Sequence, residues 1–149
     1  MLSQGIFNSF EGKGKSLQEE LRFKIGEQYE LNEFHLKSIK STFNKGIEYE
    51  NYEYIKKDFE TLFGVEFSSN LILQYNGEIL CGIIFEFNRK HFENLITKLE
   101  SNLNLEVNTI SKKILLGQTI CIYSFQEISL TLSIQDVIRL RVFKILGQT

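Results

Sequence analysis

The chain has 149 residues, 42% of them hydrophobic and thirteen of them phenylalanine, with no alanine and no proline. A chain of this length buries about 70% of its unfolded surface, so a core forms without metal or disulfide staples. The net charge of −2 argues against indiscriminate nucleic-acid binding, which carries a basic excess. The imbalance sits in residues 1–60, with nine Lys/Arg against eleven Asp/Glu; residues 61–149 hold eight of each. Without alanine, the best helix former, the composition leans toward sheet. The opening Met1–Phe7 has neither the cationic nor the apolar stretch of a leader, and no apolar run is long enough to span a bilayer. A single domain over 1–149, a cytoplasmic location, no membrane partner and no bound cofactor are therefore expected.

Along the chain, Leu21, Phe23 and Ile25 alternate with Arg22 and Lys24, which predicts a strand. Residues 34–43 fit a helix through Leu36, Ile39 and Phe43. Asn44-Lys45-Gly46 instead reads as a three-residue hairpin loop into a strand over 47–55, and the hairpin is preferred. The clearest local signal is Asn76-Gly77 between two apolar runs, because a type I′ turn needs positive φ at both central positions. Closing the hairpin there pairs Tyr75 with Glu78 and Leu73 with Leu80. Ile72, Ile79, Cys81, Ile83, Phe85 and Phe87 then share the core face.

The period next changes from two to 3.6. Phe92, Leu95, Ile96, Leu99 and Leu103 form one stripe, which predicts an amphipathic helix over 89–103 with Asn88 as N-cap. Three strands follow, at 120–125, 128–134 and 138–143, joined by tight turns at Gln126-Glu127 and Gln135-Asp136. In the last, Arg139 and Arg141 share a solvent face. The resulting class is α+β: one mostly antiparallel twisted sheet of six to eight strands, with the 89–103 helix packed on one face and room for a second, N-terminal helix.

Sequence signals for catalysis are sparse. The two histidines, His35 and His91, have no metal-ligand spacing, and Cys81 and Cys121 sit inside apolar runs as buried free thiols. Gly12-Lys13-Gly14-Lys15-Ser16 ends like a phosphate loop, but the upstream glycine that the motif needs is Ser9. No spacing selects a catalytic carboxylate pair, and Arg89, Lys90, His91 and Glu93 cannot all face one site from two helical turns.

The segment with most functional character is Ile47–Glu60, in which Tyr49, Tyr52 and Tyr54, half of the chain's six tyrosines, fall within six residues. As a strand it places Glu48, Glu50, Tyr52 and Tyr54 on one face and Tyr49, Asn51 and Glu53 on the other. Tyrosine offers rigid contact area at low entropic cost, and interleaved carboxylates suit a basic partner. Glu27, Glu30 and Glu33 would extend the patch if their segment lies alongside. The same pattern also fits a half-buried edge strand whose rings cover the core.

In size, composition and this Glu/Tyr segment at 48–54, the chain resembles the immunity proteins of bacterial toxin–immunity systems, contact-dependent inhibition included. The joint absence of alanine and proline, whose codons are GC-rich, agrees with an AT-rich bacterial or phage locus. The resemblance implies a non-catalytic, cytoplasmic protein that binds and neutralises a cognate, possibly basic, toxin domain. Glu48, Glu50 and Glu53 would then mimic phosphates, with Tyr49, Tyr52 and Tyr54 beside them. Two other readings stay open: a small-ligand or lipid-binding domain with a cavity of several hundred Å³, and a cryptic enzyme or toxin. An exposed edge strand also leaves room for a homodimer by strand addition.

Overall fold

The computed structural model describes residues 17–102, 119–123, 126–132 and 137–144. Its strands are β1 (Leu36–Ser38), β2 (Thr42–Asn44), β3 (Ile47–Tyr54), β4 (Thr61–Leu62), β5 (Val65–Glu66), β6 (Ile72–Asn76), β7 (Ile79–Asn88), β8 (Thr119–Tyr123), β9 (Gln126–Leu132) and β10 (Val137–Phe143). A single helical turn, α1 (Leu17–Glu20), precedes them, and α2 (Phe92–Asn102) lies between β7 and β8. Eight of the strands form one antiparallel sheet in the order β1-β3-β6-β7-β10-β9-β8, with β2 beside β3. The fold is α+β, as the alternating periods predict. No helix among the described residues is long and apolar enough to cross a membrane.

Three tight turns use left-handed backbone. Lys45 and Gly46 (φ 53° and 80°) close β2 onto β3, so the expected three-residue loop is a two-residue one flanked by the Asn44–Ile47 pair. Phe63 and Gly64 (φ 49° and 81°) join β4 to β5, a hairpin with no sequence expectation behind it. The third corrects the expected register. Positive φ falls on Gly77 and Glu78 rather than on Asn76 and Gly77, so Asn76 pairs with Ile79 and Tyr75 with Leu80. Asn76 is drawn out of the turn because its side-chain amide donates to the Glu48 carbonyl at 2.9 Å.

With Leu73, Tyr75 and Leu80 on the core face, a regular β7 would turn Ile83, Phe85 and Phe87 away from it. The ladder prevents this with an irregularity: Tyr75 pairs with Leu80 but Gln74 with Gly82, leaving Cys81 as the extra residue of a bulge. Leu80, Ile83, Phe85 and Phe87 therefore all enter the core, each fully buried. Ile83, Phe85 and Phe87 face inward as expected, whereas Ile79 is exposed and Ile72 only half-buried on the other face. Cys81 is a buried free thiol whose Sγ lies 3.4 Å from the Gln74 carbonyl, and burial pushes its pKa up to about 11.

Helix α2 follows a 3-10 turn, Arg89–His91, in which the Asn88 Oδ1 accepts from the Lys90 N–H at 3.0 Å. The amphipathic stripe then does what its spacing requires: Leu95, Ile96 and Leu99 are buried in one cluster with Leu73, Phe85, Phe87 and Leu140. In β10, Ile138, Leu140 and Val142 are fully buried, opposite Leu132, Leu130 and Ile128 of β9. Arg139 is solvent-facing as expected, whereas Arg141 on the same side is half-buried.

Two further expectations are corrected. Residues 21–25 make no strand, although Leu21 and Phe23 are buried; the ladder contact of this region comes later, where Gln28 bridges Ile79. Gln126 and Glu127 are not a turn but open β9, paired with Tyr123 and Cys121. The Gln135-Asp136 turn, the Gly12–Ser16 loop, Leu103 and the side chain of Cys121 lie outside the described residues.

Leu99, like Leu95 of the same stripe, has no exposed surface. Leu99→Ala is expected to destabilise the protein by about 2–5 kcal/mol through lost burial and a residual cavity, measured by urea unfolding monitored by circular dichroism.

Candidate functional site

Strand β3 carries the Glu/Tyr segment, and the structure distributes its side chains over both faces of the sheet. It is not an edge strand. β1 and β2 pair with one side of it and β6 with the other. On the helix-side face Tyr54 is buried in the core and Tyr52 packs against it. On the opposite face Tyr49 is buried beside Arg141, with the guanidinium carbon 5.3 Å from the ring centroid. Of the carboxylates, Glu48 is exposed, and Glu50 and Glu53 are half-buried. The six residues Glu48, Tyr49, Glu50, Tyr52, Glu53 and Tyr54 thus do not present one continuous surface.

What lies over the helix-side face of β3 is the segment 29–35, two consecutive 3-10 turns, Tyr29–Leu31 and Glu33–His35. Tyr29 packs its ring 5.1 Å from that of Tyr52 and 5.5 Å from that of Tyr75, while His35 sets its ring edge-on to Tyr54 at 6.4 Å. Backbone bonds fasten both ends. The Tyr29 N–H donates to the Glu78 carbonyl at 2.8 Å, and the Ile55 N–H to the His35 carbonyl at 2.9 Å. Between them Asn32 is buried and donates to Glu27 Oε1 at 3.1 Å.

With Tyr29, Asn32 and His35 turned inward, the residues between them turn outward. Phe34 is 86% exposed and Leu31 69%, each preceded by an exposed glutamate, Glu33 and Glu30. Adjacency of Glu30 and Glu33 to β3, conditional in the sequence, is thus realised, but with the apolar pair as the centre of the surface. Leu31 and Phe34 drew no notice in the sequence. Their signal is an i, i+3 apolar pair in a stretch too short for a helix of its own.

The edge beyond β3 is irregular. Residues 39–41 of the edge face only Glu50 and Asn51, and Asn51 fills this bulge by donating to the Lys40 carbonyl at 3.0 Å and to Thr42 Oγ1 at 3.1 Å. The bulge and the exposed Lys37, Lys40 and Lys45 make the edge a poor template for adding a strand. Phe43, 71% exposed, projects from its far end.

Below Tyr54 lies a charged cluster. The Tyr54 hydroxyl donates to Asp58 Oδ1 at 2.7 Å, and Arg22 Nε donates to Asp58 Oδ2 at 3.2 Å. Desolvation, reinforced by the Asp58 hydrogen bond, pushes the Tyr54 hydroxyl up to about 12. At Asp58 partial desolvation opposes ionisation, but the bonds from Tyr54 and Arg22 outweigh it and hold the carboxyl below its ordinary value. Next to this cluster opens a surface cleft of about 280 Å³, lined by charged and hydroxyl side chains that include Lys57, Glu60, Glu66, Ser68 and Ser69, with Phe59 and Phe67 at its base. The cleft is smaller and more polar than ordinary small-molecule sites. Among the described residues no three His, Cys, Asp or Glu side chains converge as metal ligands would.

In comparison with known proteins, no family model, no curated protein and no solved structure matches the chain.

The Tyr54–Asp58 bond carries a pH signature. Tyr54 ionises near 10 when unfolded and near 12 when folded, so its contribution to stability is complete below pH 10 and is lost as pH rises to 12. Asp58 has the opposite sign: its contribution holds above the unfolded pKa and is lost on acidification below it. Tyr54→Phe is expected to cost about 2 kcal/mol at pH 7 and to shallow both limbs of a plot of melting temperature against pH. Unchanged limbs would show that this pair does not set them.

Proposed function

We propose that this chain works by binding another protein through the 29–34 segment, and that it is an immunity-type protein which neutralises a basic toxin domain. The observation that carries the reading is the exposure of Leu31 and Phe34 on a segment fastened at both ends. Apolar side chains so placed, on a segment whose Tyr29 and His35 rest on the tyrosine rings of β3 and β6, match the anchors of protein interfaces, where a few large residues supply most of the affinity. Glu30 and Glu33 beside them, with Glu48 exposed on β3, would steer a basic partner and raise its association rate. Tyr52 and Tyr54 act here as the rigid floor rather than as contacts, and Tyr49 has no part in this surface. Phe43 at the end of the edge lies on the outer margin.

The polar, surface-open cleft offers little enclosure for a lipid or an apolar ligand, which favours partner binding over the small-ligand alternative. The test is co-expression with the product of the neighbouring open reading frame, followed by calorimetry on the purified complex. Replacing both Leu31 and Phe34 by Asp is expected to weaken the complex at least about a hundredfold, with the melting temperature of the free protein unchanged. Reversing Glu30, Glu33 and Glu48 to Lys is expected to slow association about tenfold at low salt and to flatten its salt dependence. A neighbour product that binds neither form defeats the immunity reading, and full affinity in the Asp variant defeats the assigned surface.

A further inference from the structure

The sheet face turned away from α2 carries a polar ladder that the protein-binding reading does not use. It begins at the edge bulge, where the Asn51 amide gives both its protons to Lys40 and Thr42. Asn51 Oδ1 must then accept, and it does so from Gln74 Nε2 at 3.0 Å. That fixes the orientation of the Gln74 amide, whose Oε1 points onward and accepts from Arg141 Nε at 2.7 Å. Asn51 and Gln74 are both 5% exposed, so neither amide has water as an easy substitute.

Arg141 reaches this position by an unusual path. Its side chain leaves β10 and crosses β7 toward β6 beside Gly82, where a larger residue would displace the Gln74 amide. A Cβ on Gly82 would stand 2.7 Å from Gln74 Oε1 and 3.5 Å from Arg141 Nε. The guanidinium then lies over the Phe143 ring at 4.3 Å and over the Tyr49 ring at 5.3 Å. Plane and rotation are thus both held, by two aromatic rings and by one hydrogen bond.

Arg22 pairs with Asp58 and Arg139 with Glu86, whereas none of the carboxylates whose side chains are described pairs with Arg141. Glu86, on the same face, is taken up by Arg139 at 2.8 Å and Ser69 at 3.1 Å. A half-buried guanidinium without a counter-charge is costly, and stacking on rings offsets only part of that cost. Gln74 engages one of its five N–H donors.

We propose that Arg141 is the receptor for an oxyanion, a carboxylate or phosphate group of a ligand, bound in the plane of the guanidinium at its outer nitrogens. Tyr49 and Phe143 hold that plane, and Gln74, placed by Asn51 and Gly82, holds its rotation. The two-pronged geometry fits a planar carboxylate or two phosphate oxygens, and a guanidinium held in advance loses little freedom on binding. The site lies on the opposite face of the sheet from Leu31 and Phe34, so it stands or falls apart from the partner-binding surface.

The test is a nuclear magnetic resonance titration of the full chain with inorganic phosphate and, separately, with acetate, chloride holding the ionic strength constant. The signals to follow are the Gln74 side-chain amide, the Gly82 backbone and the Arg141 Nε–H. Saturable shifts centred on these three are expected with at least one anion. Response to phosphate alone assigns a phosphoryl ligand, response to acetate alone a carboxylate, and response to both the shared oxyanion chemistry. Arg141→Met is expected to abolish the response, and Arg141→Lys, which keeps the charge but loses the fork and the stacking, to weaken it about tenfold. No saturable shift in the unaltered protein, or an equal response in Arg141→Lys, overturns the proposal.

Discussion

The extra residue that Cys81 adds to β7 is the constraint on which the rest of the architecture depends. Leu80 and Ile83 are three positions apart and would face opposite sides of a regular strand. With the bulge between them both enter the core, as do Tyr75 and Leu73 across the ladder. Every other layer takes its place from this. α2 lies on the face that now shows Ile83, Phe85 and Phe87, and β10 meets the same three residues through Val142, Leu140 and Ile138. The aromatic packing that runs from Phe23 and Tyr54 through Phe59 and Phe67 ends on Phe85 and Phe87 of this strand, with ring centroids 4.7–6.2 Å apart.

The same irregularity sorts the sheet into two chemically distinct faces. By turning Gly82 outward opposite Gln74, it opens a lane on the far face through which Arg141 passes. One face is held by apolar burial, which is non-directional and tolerant of small shifts. The other is held by a chain of oriented hydrogen bonds, Thr42 to Asn51 to Gln74 to Arg141, in which each acceptor is set by the one before. Such a ladder adds little net stability per bond but penalises any misregister strongly, since a slip would leave buried amides unpaired.

Much of this was legible in the sequence because it rests on periodicity. The stripe Phe92, Leu95, Ile96, Leu99 and the alternation in 138–143 are read directly from burial of one side, and both elements stand where they were expected. What was not legible rests on competition between local and distant partners. Asn76-Gly77 marked the right hairpin, yet Asn76 is held by the Glu48 carbonyl, and Glu78, a residue with no preference for positive φ, takes the second turn position. Leu21, Phe23 and Ile25 alternate like a strand because they bury alternate side chains, but no ladder runs beside them. The Glu/Tyr segment drew attention through its composition. Whether a tyrosine is floor or surface depends on what lies over it, and for Tyr52 and Tyr54 that is a segment some twenty residues earlier. The exposure of Leu31 and Phe34 follows from the same placement, so no local pattern announces it.

The fastening of the N-terminal strap has a kinetic side. β6 with β7, and β8 with β9 and β10, form hairpins of near neighbours, whereas β10 reaches β7 across about fifty to sixty residues through a seven-pair ladder. Residues 20–29 close loops of similar length with only scattered bonds: the Phe63 N–H binds Glu20 Oε2 43 residues away, and Gly26 and Tyr29 bind Leu80 and Glu78 about fifty away. A long loop closed by few bonds is among the first parts of a fold to open. The Leu31/Phe34 surface is therefore carried by one of the least cooperative parts of the molecule. A partner that gripped it would also latch this loop, so that complex formation and completion of the fold would become one event.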